Sequence, residues 1–590
     1  MRHPLLYSSP RSMDVMDAFA GYNHNTRIAP GEFYDMQNLT SDQAPVLATR
    51  VPRGIVSTSG NFQGLAAKDG LCYVDGTDLM INGHRLPMNL SVEPAMCPKQ
   101  LISMGAYLII MPDGKYVNTV DTSDSGDISA KFTSSAPVTL TPCKLDGTEL
   151  RAEYTQATTP ENPQDKALWI DTSTEPHTIK EYAKATGIWV AIATTYVKIG
   201  CPGIGTFFKQ WDGIKISGLK TATATYSTLS DQVGALDGAA IVYARGNDFI
   251  TIVGLIDTKE TVEQAITVSR EMPLMDYVTE SENRLWGCRY GPNREGEIVN
   301  EIYCCKLGDF RNWYCFMGIS TDSYIVSLGS DGVFTGAATL GGHPIFLKEN
   351  CIHTIYGQMP ANFQVQTVVG RGVQKGCERS LAIVNEILYY KSQHGICAYD
   401  GALPQEVSKQ LGNETYGKAV GAAIGNKYYV SMQDLAGKWA LFVYDTARGM
   451  WHKEDDTQAY LLCPCKDDLF CVDGKGRLLS LLGTTGDKEP SSIPWMAETG
   501  IIGASDPGNK YLCKIGIRLV LEPGSSLSVY VQYDSTGPWE NLATVQGMNL
   551  RSFVYPIIPQ RCDHLRIRLQ GVGKALIFAI NKEMAQGSDY

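Results

Sequence analysis

The residues with the clearest capacity for chemistry are two acidic groups, Glu454-Asp455-Asp456 and Asp467-Asp468. Two carboxylates flanking a glycosidic bond are what acid–base hydrolysis of a sugar requires, and many β-propellers cleave glycans in that way. The competing reading is a loop of solvated charges beside a hairpin turn. Asp121-Thr122-Ser123-Asp124-Ser125-Gly126-Asp127 offers enough oxygens for calcium, but its spacing departs from the EF-hand pattern. Cys463-Pro464-Cys465 lacks the two-residue spacer through which paired thiolates share a zinc, and no second pair stands at ligand spacing, so both read as strand cysteines. His394 precedes Gly395 in a turn, and the nine histidines are scattered. There is no Gly-x-x-x-x-Gly-Lys-Ser/Thr loop, His-Glu-x-x-His helix or Gly-x-Ser-x-Gly elbow. The sequence therefore assigns no catalytic, cofactor-binding or metal-ligating residue.

Those residues must be positioned by a large scaffold. A chain of 590 residues exceeds the size at which a single core keeps growing. With 51 basic and 62 acidic residues the net charge is −11, which disfavours a general nucleic-acid coat. The sixteen cysteines sit in strand-like runs such as those at Cys72, Cys288 and Cys471, as buried reduced thiols would. Residues 1–10 lack the apolar core of a secretory signal, and no window approaches the roughly 20 apolar residues of a membrane span. A soluble protein made in the cytosol is expected.

The scaffold announces itself by repetition. A turn followed by strand formers with an aromatic recurs at Asp69-Gly70, Gly105, Glu282-Asn283, Glu349-Asn350, Asn385-Glu386, Asn426-Lys427 and Asp467-Asp468. From residue 350 onward the steps are 35, 41 and 41 residues, the length of a four-stranded propeller blade. The expected fold is all-β: a β-propeller of about seven blades, six remaining open, with an inserted small β-domain and a C-terminal jelly-roll-like β-sandwich. Residues 1–53 read as an N-terminal arm, laid over the propeller or reaching a neighbouring subunit. Residues 54–129 read as the first blades, 130–270 as the insert with one helix near residues 178–185, 271–503 as the remaining blades, and 504–590 as the sandwich. Pro494–Thr499 reads as the last propeller strand. Alternation at Arg566-Ile567-Arg568-Leu569 places apolar residues on one face of the sandwich. Arg518, Arg566 and Arg568 then stand on the other, as a solvated or ionic docking face.

Gly31-Glu32-Phe33-Tyr34-Asp35-Met36-Gln37-Asn38-Leu39-Thr40, Ser269-Arg270-Glu271-Met272-Pro273 with Glu280 to Cys288, and Ser392 to Pro404 resemble phrases of tailed-bacteriophage β-propeller structural proteins of the nozzle, packaged-DNA stabilisation and tail-hub type. The resemblance implies a non-enzymatic virion protein at the tail or head-tail connector. It would form a homo-oligomeric ring, with a hexamer among the candidates, join other tail proteins and let DNA pass through the lumen without a membrane segment. The virion would be its location and the host cytoplasm its place of synthesis. The alternative is a glycan-binding or glycan-cleaving propeller with a carbohydrate-binding sandwich, using Trp169, Trp189, Trp211 and Trp539 as sugar platforms.

Overall fold

The computed structural model describes residues 11–58, 61–92, 98–174, 177–220 and 229–586; the first ten residues of the arm lie outside them. Among the described residues, four-stranded antiparallel sheets occupy 62–87, 100–127, 277–327, 336–369, 382–406 and 416–453. A seventh sheet, at 459–480, takes its fourth strand from Gly54–Thr58, on which Asp487–Lys488 adds a short fifth. The fold is all-β, a β-propeller with an inserted β-domain and a C-terminal β-sandwich, and seven blade-type sheets stand among the described residues. At five positions that the repeating phrase marks, Asp69, Glu282, Asn283, Asn385 and Glu386, φ is positive, the left-handed conformation that tight hairpin turns demand.

The chain forms two compact units, one of Met1–Leu101, Phe334–Thr354 and Gln366–Tyr590, the other of Ile102–Val333 and Ile355–Val365. In the first, Trp451, Trp495, Tyr390, Tyr399 and Tyr428 are among the fully buried side chains of a shared core, and burying a large apolar side chain contributes about 1.5–3 kcal/mol. Arm strands join the C-terminal sheet here. Arg11–Met16 and Leu47–Thr49 pair with Ala575–Gln586, and Glu32–Gln37 pairs with Pro494–Thr499. Pro494–Thr499 in turn pairs with Leu565–Val572, so it is a sandwich strand and not a propeller strand. Its Trp495 and Ala497 are buried against that sheet.

Arg566 and Arg568 form neither a solvated nor a docking face, because both reach Glu498, at 3.2 and 2.7 Å. Arg518 alone of the three stays exposed, with its Nε donating to Ser552 Oγ at 3.2 Å. Closure of the seventh blade is tight. A Cβ on Gly54 would lie 1.8 Å from the Thr485 carbonyl oxygen. Gly54→Ala is therefore expected to lower stability by roughly 1–3 kcal/mol, the usual range for overpacking, read as a fall in urea midpoint.

Two buried imidazoles in this unit couple stability to pH. His452 is fully buried, neither of its ring nitrogens has a hydrogen-bond partner among the described residues, and burial, then the nearby Lys427, pushes it from 6.5 down to about 3 against the opposing pull of Asp42 and Asp445. His353 lies against Thr367 Oγ1 (2.9 Å) and Cys351, and burial and Lys348 lower it to about 4. As the pH falls below 6.5 the unfolded chain takes up protons that the folded chain refuses. Stability is thus fully present above pH 6.5 and is lost progressively toward pH 4 and below. The urea midpoint is expected to drop between pH 7.5 and 5, and a flat profile contradicts this.

The second unit contains the insert. Its core is aliphatic, with Val138, Leu140, Val197, Ile199, Ile250 and Ile252 all buried. The helix expected near residues 178–185 is a strand, Thr178–Ala183, paired with Leu168–Asp171 and Ile188–Ala191. Alternation decides it: Ile179 turns into the core while Lys180 crosses the ladder to Asp171, at 2.7 Å. The insert is bolted to the blade at 277–327. Gly213 N donates to Asn312 Oδ1 at 2.8 Å, and Asn312 Nδ2 donates to the Trp211 carbonyl, also at 2.8 Å. A Cβ at Gly213 would lie 2.2 Å from the Tyr314 carbonyl oxygen. Only glycine allows this approach, and beside the contact a cleft opens.

Candidate functional site

The cleft has a volume of about 340 Å³ and lies within the second unit. The insert supplies Lys215 from the strand Gly213–Ser217, and Ser269 with the following Glu271 from the end of Thr267–Arg270. The blade supplies Glu295 from a hairpin loop and Glu301 with Tyr303 from Ile298–Cys304. Residues i and i+2 of a strand share a face, which is why Glu301 and Tyr303 enter the cleft together. Tyr314 and the exposed Phe316 close one side, and Ile214, Leu274 and Ile325 make the remaining wall apolar.

The hydrogen bonds differentiate the three glutamates. Glu301 accepts from Tyr303 OH at 2.7 Å and from Ser327 Oγ, across the strand pair, at 3.2 Å. Among the described residues Glu271 accepts only from Ser269 Oγ (3.0 Å), through one of its oxygens. Glu295 is salt-bridged to Lys215 at 3.0 Å, and the hydrogen bond from Lys215 holds its carboxyl below the usual range. Both phenols are driven upward. Burial, then the hydrogen bond to Glu301, raises Tyr303, while burial and the negative charges of Glu295 and Glu271 push Tyr314 up to about 12. They remain protonated donors at neutral pH, facing carboxylate acceptors.

The residues singled out by the sequence lie elsewhere. Glu454 and Asp455 are not a loop of solvated charges: Arg53 binds them at 2.7 and 2.8 Å. Asp468 is buried and accepts from Ser480 Oγ (2.5 Å), from Thr484 Oγ1 and from the amides of Leu469 and Leu482, so it fixes a turn. Asp456 and Asp467 are exposed. Asp121 caps the Ser123 amide at 3.1 Å, Asp124 accepts from Tyr107 OH at 2.7 Å and Asp127 pairs with Lys115 at 3.0 Å; the three acids point to separate partners. Cys463 and Cys465 are buried thiols on the strand Ala459–Cys465, with Cys463 pushed up to about 12 by burial. His394 sits in the turn between Ile387–Ser392 and Gly395–Tyr399.

The four tryptophans do not assemble. Trp169 and Trp189 pack edge to face at 5.3 Å, Trp211 packs on Tyr243, and Trp539 lies under Arg568 at 4.0 Å. Sequence reasoning missed Glu271, Glu295 and Glu301. The one local signal was the Glu301-x-Tyr303 alternation on a strand.

No family model matches the chain, and no curated protein matches it. Among solved structures it is similar to an exo-β-1,3-galactanase from Phanerochaete chrysosporium (7% identity, 51% of this chain and 94% of that one, TM-score 0.19). It is also similar to a glycoside hydrolase family 43 arabinoxylan arabinofuranohydrolase from Bacillus subtilis (8% identity, 53% and 95%, TM-score 0.18). A third is the extracellular domain of a hybrid two component system from B. thetaiotaomicron (9% identity, 92% and 98%, TM-score 0.21). The structures named are glycoside hydrolases and bacterial extracellular domains. The expectation of a non-enzymatic phage tail or connector protein is corrected on this finding, and the exclusion of enzymatic activity falls with it.

Proposed function

We propose that this protein binds a saccharide in the cleft of Glu271, Glu295 and Glu301 and hydrolyses a glycosidic bond there. The observation that supports the reading is the meeting of three carboxylates and two protonated phenols in one partly apolar cleft of about 340 Å³. A sugar ring presents hydroxyls at its edge and C–H groups on its faces. Carboxylate acceptors and phenol donors suit the first, and the Phe316, Ile214 and Leu274 wall suits the second. Glu301, oriented by Tyr303 and Ser327, acts as base or nucleophile. Glu271, supplied by the other wall and with one oxygen left to the cleft, protonates the leaving oxygen. Lys215 and Glu295 at the rim orient the sugar hydroxyls.

The test is a panel of neutral and acidic oligosaccharides, with binding followed by calorimetry and cleavage by chromatography of the products. At least one sugar is expected to bind and to be cut. Neither binding nor cleavage across the panel at millimolar sugar removes the reading.

A further inference from the structure

The first unit holds a larger groove, of about 1010 Å³, between arm residues and the blades at 416–453 and 459–480. A second cavity of about 290 Å³ shares Glu414 and Tyr416 with it and extends it past His394. Two tyrosines mark its floor. Tyr22 is 4% and Tyr416 9% exposed; both line the groove, and neither hydroxyl has a hydrogen-bond partner among the described residues. Burial leads in raising both phenols, reinforced by Asp35 near Tyr22 and by Glu414 near Tyr416. Both residues line the groove and stay protonated at neutral pH, so their hydroxyls can donate to an oxygen acceptor bound there.

The walls narrow the ligand class. His24 stacks between Tyr34, at 4.2 Å, and Tyr22, at 5.8 Å. Half-buried Trp439 lines the same groove. Acids and bases alternate around it. Asp455 and Asp473 are paired with Arg53 and Arg477, Asp35 with Lys453, while Glu414, Asp456, Lys438 and Lys475 form no ion pair among the described residues. A polyanion would meet the acids and a polycation the bases. A polyhydroxyl chain meets acceptors, donors and ring faces, and the joined cavities exceed what one sugar ring fills.

We infer that this groove is a second, non-cleaving binding site for an oligosaccharide chain, centred on Tyr22, Tyr416 and Trp439. It shares its ligand class with the cleavage site proposed above but stands on separate residues in the other unit. The experiment is calorimetric titration of the full chain with hexasaccharides of cellulose, xylan, β-1,3-galactan and chitin. The wild type, Tyr22→Phe/Tyr416→Phe, Trp439→Ala and Glu271→Gln/Glu301→Gln are compared. Removal of the two hydroxyls is expected to weaken one binding event by about tenfold or more. Trp439→Ala is expected to do likewise, and the Glu271→Gln/Glu301→Gln chain to retain that event.

Since phenylalanine keeps the ring stack, a urea midpoint equal to wild type or higher separates lost binding from lost folding. Hexasaccharide binding that is untouched by the tyrosine pair, or no binding to any hexasaccharide, overturns the inference. Binding abolished only by the glutamine pair overturns it while leaving the cleft reading in place. Binding abolished only by the tyrosine pair upholds it, and the cleft reading is then decided by whether the oligosaccharides are cut.

Discussion

Glu301→Gln is expected to lower kcat/KM for the cleaved glycan by about 10²–10⁴, the usual contribution of a positioned acid–base group, with kcat carrying most of the loss. The amide matches the carboxylate in shape, and its oxygen can still accept from Tyr303 OH, which now stands 2.7 Å from Glu301. The cleft and the fold are therefore expected to survive, so KM and the urea midpoint should change little. Glu271→Gln should cost a similar factor for the other half of the reaction. A leaving group that needs no protonation, such as an activated aryl glycoside, should restore much of the rate in Glu271→Gln and little of it in Glu301→Gln. Tyr303→Phe provides the control for positioning. It removes one of the two donors to Glu301, and its expected loss is about tenfold, the scale of one hydrogen bond of about 1.4 kcal/mol. Wild-type turnover in Glu301→Gln would remove Glu301 from the chemistry.

The features legible in the sequence are those that local chemistry determines. Glu282-Asn283 and Asn385-Glu386 sit in tight turns with positive φ at both positions, and the strands beside them pair with neighbours in sequence. The turn and the alternation suffice to place them. Gly54–Thr58 is different. Its partner is Arg477–Ser480, far along the chain, and its alternation is that of any half-buried strand, so nothing local marks it as the closing strand of a blade. Arg11–Met16 and Pro494–Thr499 entered the C-terminal sheet unannounced for the same reason.

The candidate site was hidden more deeply. Glu271, Glu295 and Glu301 are isolated single acids, and they meet only because Gly213 lets the insert close on the backbone at Tyr314. The acidic run at 454–456 was conspicuous, yet its partner is an arginine of the arm. A charge run shows its composition, while its burial depends on a distant chain segment.

That arginine carries the largest stability effect expected in the molecule. Arg53→Met is expected to cost about 3–5 kcal/mol, the range for removing one partner of a buried ion pair. The Arg53 side chain is 6% exposed, Glu454 7% and Asp455 14%, and Arg53 also donates to Thr457 Oγ1 at 2.7 Å. Without it, two carboxylates are left in a low-dielectric site, with Arg50 at 3.8 Å as the other ion-pair partner of Asp455 among the described residues. The cost therefore lies in the stranded charges more than in the lost bonds. Arg53→Met/Glu454→Gln/Asp455→Asn should recover much of it, although each single change destabilises.

The pH dependence follows from the same picture. Burial would raise the Asp455 carboxyl, but Arg53, Thr457 and Arg50 outweigh it and hold it below the ordinary range. Such a group adds stability above the ordinary carboxylate pKa, and that stability is lost as the pH falls through the depressed value. The deficit of Arg53→Met relative to wild type should accordingly be greatest near pH 7 and shrink toward pH 3, where protonation relieves the stranded acids. Urea midpoints of the two proteins that stay a constant distance apart across that range would show that the arginine acts through packing, since a methionine chain replaces its aliphatic stem but not its charge.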